Sequence, residues 1–223
     1  MESDARNEIL TSIRRNLAKS APFDAAHHEH HAHKEKSIAS APLISSADLQ
    51  NVSLTERFRE NLISIGGICT IISDLNEAAK IIETIIEKSN TKRIAISDSD
   101  LVTEIGKLLD TNWEIVQNAP VSTLFETDLG ITSAQFGIAE TGTLVLESSR
   151  EFHRLTSLVP SVHVCLLRAE NIRQTLGETL EILEKDLSRT ITFITGPSRT
   201  SDIELTLAIG VHGPAELHVI IIK

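Results

Sequence analysis

Three short stretches of this sequence combine residue types and spacings suited to chemistry. In Gly137-Ile-Ala-Glu-Thr-Gly-Thr-Leu144, two glycines bracket Glu140 and Thr141. A tight backbone turn there would place a carboxylate and a hydroxyl at an exposed tip, with Gly142 at positive φ. The same pattern is also that of a plain hairpin turn. In the second stretch, an apolar strand ends at Gly196-Pro-Ser-Arg-Thr200, and Ser201-Asp-Ile-Glu204 has the form of a capping box that starts a helix over 202–209. Gly196, Pro197, Ser198, Arg199 and Thr200 then fall where a strand's carboxyl end meets a helix N-terminus, and free N–H groups there favour a carboxylate or phosphate. Arg199 adds a two-pronged donor. The alternative is an ordinary βα loop whose helix dipole is already met by Asp202 and Glu204. The third stretch, Gly210-Val-His-Gly-Pro-Ala215, carries His212, which titrates near neutral pH, beside a turn forced by Gly213 and Pro214.

The expectation is one anion-binding rim built from all three stretches. Glu140 and His212 are its candidate proton acceptors. Thr141, Gly142, Gly196, Pro197, Ser198, Arg199, Thr200 and Gly213 are its candidate binding residues. His153, Arg154 and His163 form a further polar set around 155–160. Five histidines, His27, His28, His30, His31 and His33, crowd into seven residues. Such tracts attract transition metals, but a segment flanked by Ala, Ser and Lys has no means of fixing a coordination geometry. It reads as a solvated linker, and no metal site is predicted.

Positioning such loops requires a scaffold. From about Ser53, β-branched apolar runs at 69–72, 93–97 and 114–117 alternate with amphipathic helices at 54–65, 76–88 and 100–109. This alternation predicts βαβ units and a mostly parallel sheet buried on both faces. Loops or short helices are expected over 120–137. Strands are expected at 143–147, 163–167, 190–195 and 217–222, with a helix over 173–185. Ahead of this body, Ala5, Ile9, Ile13 and Leu17 recur at helical spacing. The predicted organisation is an N-terminal helix over 1–19, a flexible Ala/His-rich linker over 20–46 and an α/β domain over 47–223.

Composition narrows the function. The 223 residues carry a formal charge of −10, and aromatic residues make up only 3%. Phosphate neutralisation and base stacking would both call for the opposite, so no nucleic-acid partner is expected. Cys69 and Cys165 lie apart in apolar runs, as reduced, packed thiols do, which suits a reducing compartment. No run approaches the ~18 apolar residues of a membrane span, and the first residues lack the pattern of a secretory signal. A cytoplasmic protein is expected. No Gly-x-Gly-x-x-Gly or P-loop motif occurs.

The three stretches, with Arg154-Leu-Thr-Ser-Leu-Val-Pro-Ser-Val-His163 between the first two, closely resemble the signature regions of the LutC/YkgG family of lactate-utilisation proteins with a LUD domain. The resemblance covers roughly residues 50 to 223. It implies a fold similar to the group of ribose-5-phosphate isomerase, glucosamine-phosphate deaminase and CoA transferase (NagB/RpiA/CoA-transferase-like). It also implies a part in oxidising L-lactate to pyruvate alongside two iron–sulfur proteins. This chain lacks cluster-binding cysteines, so it is similar to the cluster-free member, with no cofactor bound directly and the clusters on its partners. An oligomer is compatible with all of this. Two other functions remain open: a stand-alone enzyme on sugar phosphates or acyl-CoA, and an assembly module that docks the iron–sulfur partners through its N-terminal helix.

Overall fold

The computed structural model describes residues 11, 53–110, 112–149, 154–201, 207–210 and 213–223. The chain divides into Met1–Leu49 and Gln50–Lys223, and every element named below lies in the latter. The predicted N-terminal helix, the histidine tract, His153 and His212 fall outside the described residues.

The first half alternates as predicted: α1 (Leu54–Ser64), β1 (Ile68–Ile72), α2 (Leu75–Lys88), β2 (Arg93–Ile96), α3 (Asp100–Leu108), β3 (Glu114–Gln117) and a short α4 (Val121–Leu124). The second half holds β4 (Leu129–Ala134), β5 (Phe136–Ile138), β6 (Thr143–Glu147), β7 (Val162–Arg168), β8 (Ile172–Arg173), α5 (Leu176–Leu183), β9 (Ile191–Ile194), β10 (Arg199–Ser201), β11 (Leu207–Ile209) and β12 (Glu216–Ile222). Side chains cap the helices where the sequence offers them. Ser53 accepts from the Glu56 N–H, Asp74 from Asn76 and Glu77, Ser99 from Val102, and Thr175 from Glu178. Gly66, at φ 90°, then ends the first helical segment.

Six strands form an all-parallel sheet in the order β1-β12-β7-β4-β2-β3. Alternate residues of its central strands serve two cores. Val164 and Leu166 of β7, with Ile220 of β12, pack against Ile82 and Ile86 of α2 and Val102 and Ile105 of α3. Cys165 and Leu167, with Val219 and Ile221, face Phe58 and Leu62 of α1 and Leu144 and Leu146 of a second sheet. That second sheet has the order β8-β5-β6-β9, and β10 and β11 form a separate antiparallel ribbon. Burial on both faces explains the unbroken apolar runs.

Three expectations needed correction. The stretch expected to be loop contains β4, every residue of which is buried between β2 and β7. Its Leu-Gly-Ile-Thr-Ser-Ala composition hides a strand because small residues are required on one face. A Cβ at Gly130 would run into the Thr156 carbonyl oxygen and crowd Pro160. The helix expected over 202–209 is not formed at its end, since Leu207–Ile209 is β11, paired antiparallel with Arg199–Ser201. Ser201 lies in β10, paired with Leu207. The helix expected over 173–185 is shorter, because Arg173 joins β8 and pairs with Ile138.

Gly130→Ala should cost about 3 kcal/mol or prevent folding, as overpacking against fixed backbone does. Urea denaturation with an unchanged midpoint would contradict this packing.

Candidate functional site

In a parallel sheet all carboxyl ends share one edge, so the segments following β2, β4 and β7 gather there. From β2 the chain moves to β3 at one margin; from the adjacent β4 it proceeds to β7 in the opposite direction. Such divergence opens a crevice at the carboxyl ends of the two strands. A cleft of about 630 Å³ occupies that position. Asp98, Ser99 and Asp100 leave β2 into it, Ser133 and Ala134 end β4 beside it, and Arg168 closes β7 there. Gln135, Phe136, Glu147 and Ser149 form the wall that belongs to the second sheet and its flanks.

Several of these groups are held in place. The Ser133 hydroxyl donates to Ser99 Oγ at 3.0 Å, beside the start of α3. Gln135 Oε1 accepts the Glu147 N–H at 2.7 Å, and the Ser188 hydroxyl donates to Glu147 Oε2 at 2.9 Å. Glu147 is only 6% exposed, and the Arg173 guanidinium lies 5.5 Å from the centroid of the Phe136 ring. Carboxylates, a guanidinium and small hydroxyls in one cleft suit a ligand with both an anionic end and hydroxyl groups. Among the described residues no cluster of three or more His, Cys, Asp or Glu is arranged to hold a metal ion.

Those residues singled out in the sequence that are described lie outside this cleft. Glu140, Thr141 and Gly142 form the β5–β6 hairpin turn, with Gly142 at φ 65° packed against the α1 backbone at Leu62. The Asn61 side chain ties α1 to this turn by donating to the Ala139 carbonyl at 2.7 Å. Glu140 Oε1 accepts the Leu176 N–H at 2.6 Å, so its carboxylate serves the N-terminus of α5. The Thr141 hydroxyl bonds that of Thr143 at 2.7 Å, and Thr143 bonds Thr195 at 2.8 Å, linking the turn to the segment entering Gly196. The Arg199 guanidinium donates to the carbonyl of Ile65, the residue that ends α1. Thr200 lies in β10, paired with Ala208.

Gly196, Pro197, Ser198 and Gly213 do come together, around a second cavity of about 220 Å³. The Ser198 N–H donates to the Pro214 carbonyl at 2.8 Å and the Gly210 N–H to the Ser198 carbonyl at 3.0 Å, which joins the two turns. His163 also lines this cavity, fully buried, with Nε2 2.8 Å from Thr132 Oγ1. Burial, followed by the nearby charge of His218, pushes its pKa down to about 3, so the ring is neutral. Burial likewise pushes the Cys69 thiol up to about 12, which removes it as a nucleophile at neutral pH.

A model of the LUD domain family matches residues 55–222. The chain belongs to the LUD domain family. Along nearly its whole length this LUD-domain chain is similar to the lactate utilization protein C of Deinococcus radiodurans, 28% identical over 99% of this chain and 96% of that protein. The lactate utilization protein C of Bacillus subtilis is 32% identical over 44% of this chain and 43% of its own length. The uncharacterized protein YkgG of Escherichia coli is 32% identical over 50% of this chain and 51% of its own. The crystal structure of a DUF162 family protein from Deinococcus radiodurans has the same fold, with a TM-score of 0.59 at 22% identity, covering 76% of this chain and 96% of that one.

The cleft drew on residues that motif reading passed over: Asp98, Ser99, Ser133, Gln135, Glu147 and Arg168. The one visible cue was Ser97-Asp-Ser-Asp100 directly after a β-branched run, a polar cluster at a strand's carboxyl end.

Two stability predictions follow from the motif residues. Glu140→Ala should lower unfolding free energy by about 1 kcal/mol, the worth of a lost helix-cap bond, read from urea denaturation. Because the unfolded chain takes up a proton at His163 that the fold refuses, stability should fall as pH drops from 6.5 towards 3. The contribution approaches about 1.4 kcal/mol per pH unit, and His163→Gln should flatten that part of the profile.

Proposed function

We propose that this chain works in lactate utilisation as the ligand-binding component of a system that oxidises L-lactate to pyruvate. The observation that supports the site is the cleft at the divergence of β2 and β4, where open parallel sheets take their ligands. Its relatives named lactate utilization protein C support the pathway. On this reading Arg168 holds the carboxylate of a 2-hydroxy acid through paired charge-assisted hydrogen bonds. The hydroxyl end faces Asp98, Ser99 and Ser133, and Glu147 is the candidate acceptor for its proton. Conversion of lactate to pyruvate releases two protons and two electrons: the hydroxyl proton would go to Glu147, the proton from C2 to solvent, and the two electrons to the iron–sulfur clusters of two partner proteins.

The cleft has room for a ligand larger than a three-carbon acid, which favours a second reading as a stand-alone enzyme on a sugar phosphate or an acyl-CoA. Turnover by the purified chain with a panel of those substrates would select it.

Arg168→Gln should abolish lactate-dependent growth of a strain that carries only the variant, with the folded protein present at normal levels. A lost charge-assisted contact is worth about 1.5–3 kcal/mol, so L-lactate binding by calorimetry should weaken about 10- to 100-fold. Normal growth and unchanged binding would overturn the assignment of Arg168.

A further inference from the structure

The parallel sheet ends on β1 at one side and on β3 at the other, and the two edges differ. β3 opens with Glu114, whose carboxylate lies 3.0 Å from Arg93 Nε and whose side chain is 57% exposed, and it closes with Gln117. A charge at an edge discourages pairing with a further strand. β1, Ile68-Cys-Thr-Ile-Ile72, carries no charge, no proline and no glycine, and only Ile72 is buried. Grooves border it on both faces of the sheet. One, of about 520 Å³, runs between Ile68 and Thr70 and the Ile81 and Thr84 side of α2. The other, of about 380 Å³, runs between Cys69 and Ile71 and the Glu56 and Arg59 side of α1. The edge strand thus stands clear of both helices that flank it.

The backbone of this edge has a symmetry of its own. In a parallel pair a residue turns its N–H and its C=O to the same neighbour, and the next residue turns both away. The Ile72 carbonyl accepts the N–H of Lys223, just past β12, at 3.0 Å, so Ile72, Thr70 and Ile68 face β12. Cys69 and Ile71 therefore turn their N–H and C=O groups away from β12, the one strand that pairs with β1 among the described residues. These groups are disposed evenly about Thr70, which makes the edge self-complementary. An antiparallel copy related by a two-fold axis at Thr70 takes all of them, Cys69 of each opposite Ile71 of the other. The same axis runs α1 antiparallel to its copy and turns Arg59 of each towards Glu56 of the other, and both side chains are nearly half exposed. We infer that β1 is a dimerisation edge, at which two copies of this chain pair antiparallel about Thr70 and join their parallel sheets into one. The pairing closes on itself, and the charged edge at β3 keeps the joined sheet from growing further.

The test is sedimentation velocity of the full-length protein in reducing buffer across the micromolar range. The unmodified protein should sediment as a dimer that dissociates on dilution. Thr70→Lys sets two like charges against each other on the axis and should give a monomer, its fold checked by circular dichroism and urea denaturation. Thr70→Glu should do the same. An equimolar mixture of these two variants should recover the dimer, because opposite charges then meet at the axis. A different protein seated on β1, or a different register, would not respond to the mixture in this way. Ile71→Pro removes one outward N–H from each copy and leaves the β12 ladder whole, so it should weaken dimerisation about tenfold or more. A monomer throughout the range overturns the proposal. So does a dimer kept at full strength by folded Thr70→Lys or folded Ile71→Pro, or a mixture of the two charged variants that stays monomeric.

Discussion

Val164 and Leu166 leave one face of β7 while Cys165 and Leu167 leave the other, and both sets are completely buried. This demand that a parallel sheet be covered twice governs the rest of the molecule. One face receives α2 and α3, the usual solution. The other receives α1 together with a second sheet, which stands over the central strands as a wall. A helix layer would follow the sheet closely along its length, whereas a sheet crossing over a twisted sheet meets it well only in the middle. The apolar cluster of Leu144, Leu146, Cys165, Leu167 and Val219 marks that middle. The cleft lies at the carboxyl ends of β2 and β4, and the smaller cavity lies at the amino ends of β7 and β12.

Close approach between the layers also explains the small residues of β4. Gly130 sits under the Thr156 carbonyl and Thr132 reaches His163, so the segment that carries Arg154–Ser157 can cross the sheet there. Larger side chains at 130 and 132 would lift that segment away. The same thinness that stabilises the crossing makes β4 nearly invisible to a search for β-branched runs.

Legibility in the sequence follows from whether a signal is local. β2, β7 and β12 were readable because burial on both faces requires contiguous apolar residues, β1 and β3 because shorter β-branched runs continue onto the sheet's two edges, and α1 to α3 because their apolar faces recur at helical spacing. The Ser201-Asp-Ile-Glu204 pattern gave no sign of β11 because a capping box is a local preference. Pairing of β10 with β11, which Arg199 anchors to α1, outweighs it at Ser201. The hairpin at Glu140 was readable as a turn, but its carboxylate's partner, Leu176, lies 36 residues further on. The cleft was the least legible feature of all. Asp98, Ser133, Glu147 and Arg168 become neighbours only through strand order, which no spacing rule encodes.

The charged residues of the most recognisable motifs have an architectural use that accounts for their types. Glu140 brings a negative charge to the N-terminus of α5, and Arg199 brings a positive one to the carbonyl that ends α1, each matching the sign of the helix end it meets. Between them runs the hydroxyl chain from Thr141 through Thr143 to Thr195. A turn and a loop more than fifty residues apart are thus fastened to two helices and to one another. Rigid fastening of this kind removes the ordering cost from a binding step at any surface these segments frame. The turn at Ser198 is in turn fixed against Pro214, beside the smaller cavity. Conspicuous motifs and inconspicuous cavities are therefore parts of one structure, in which the motifs fix the turns and line the smaller cavity while unremarkable residues at the ends of β2, β4 and β7 line the cleft.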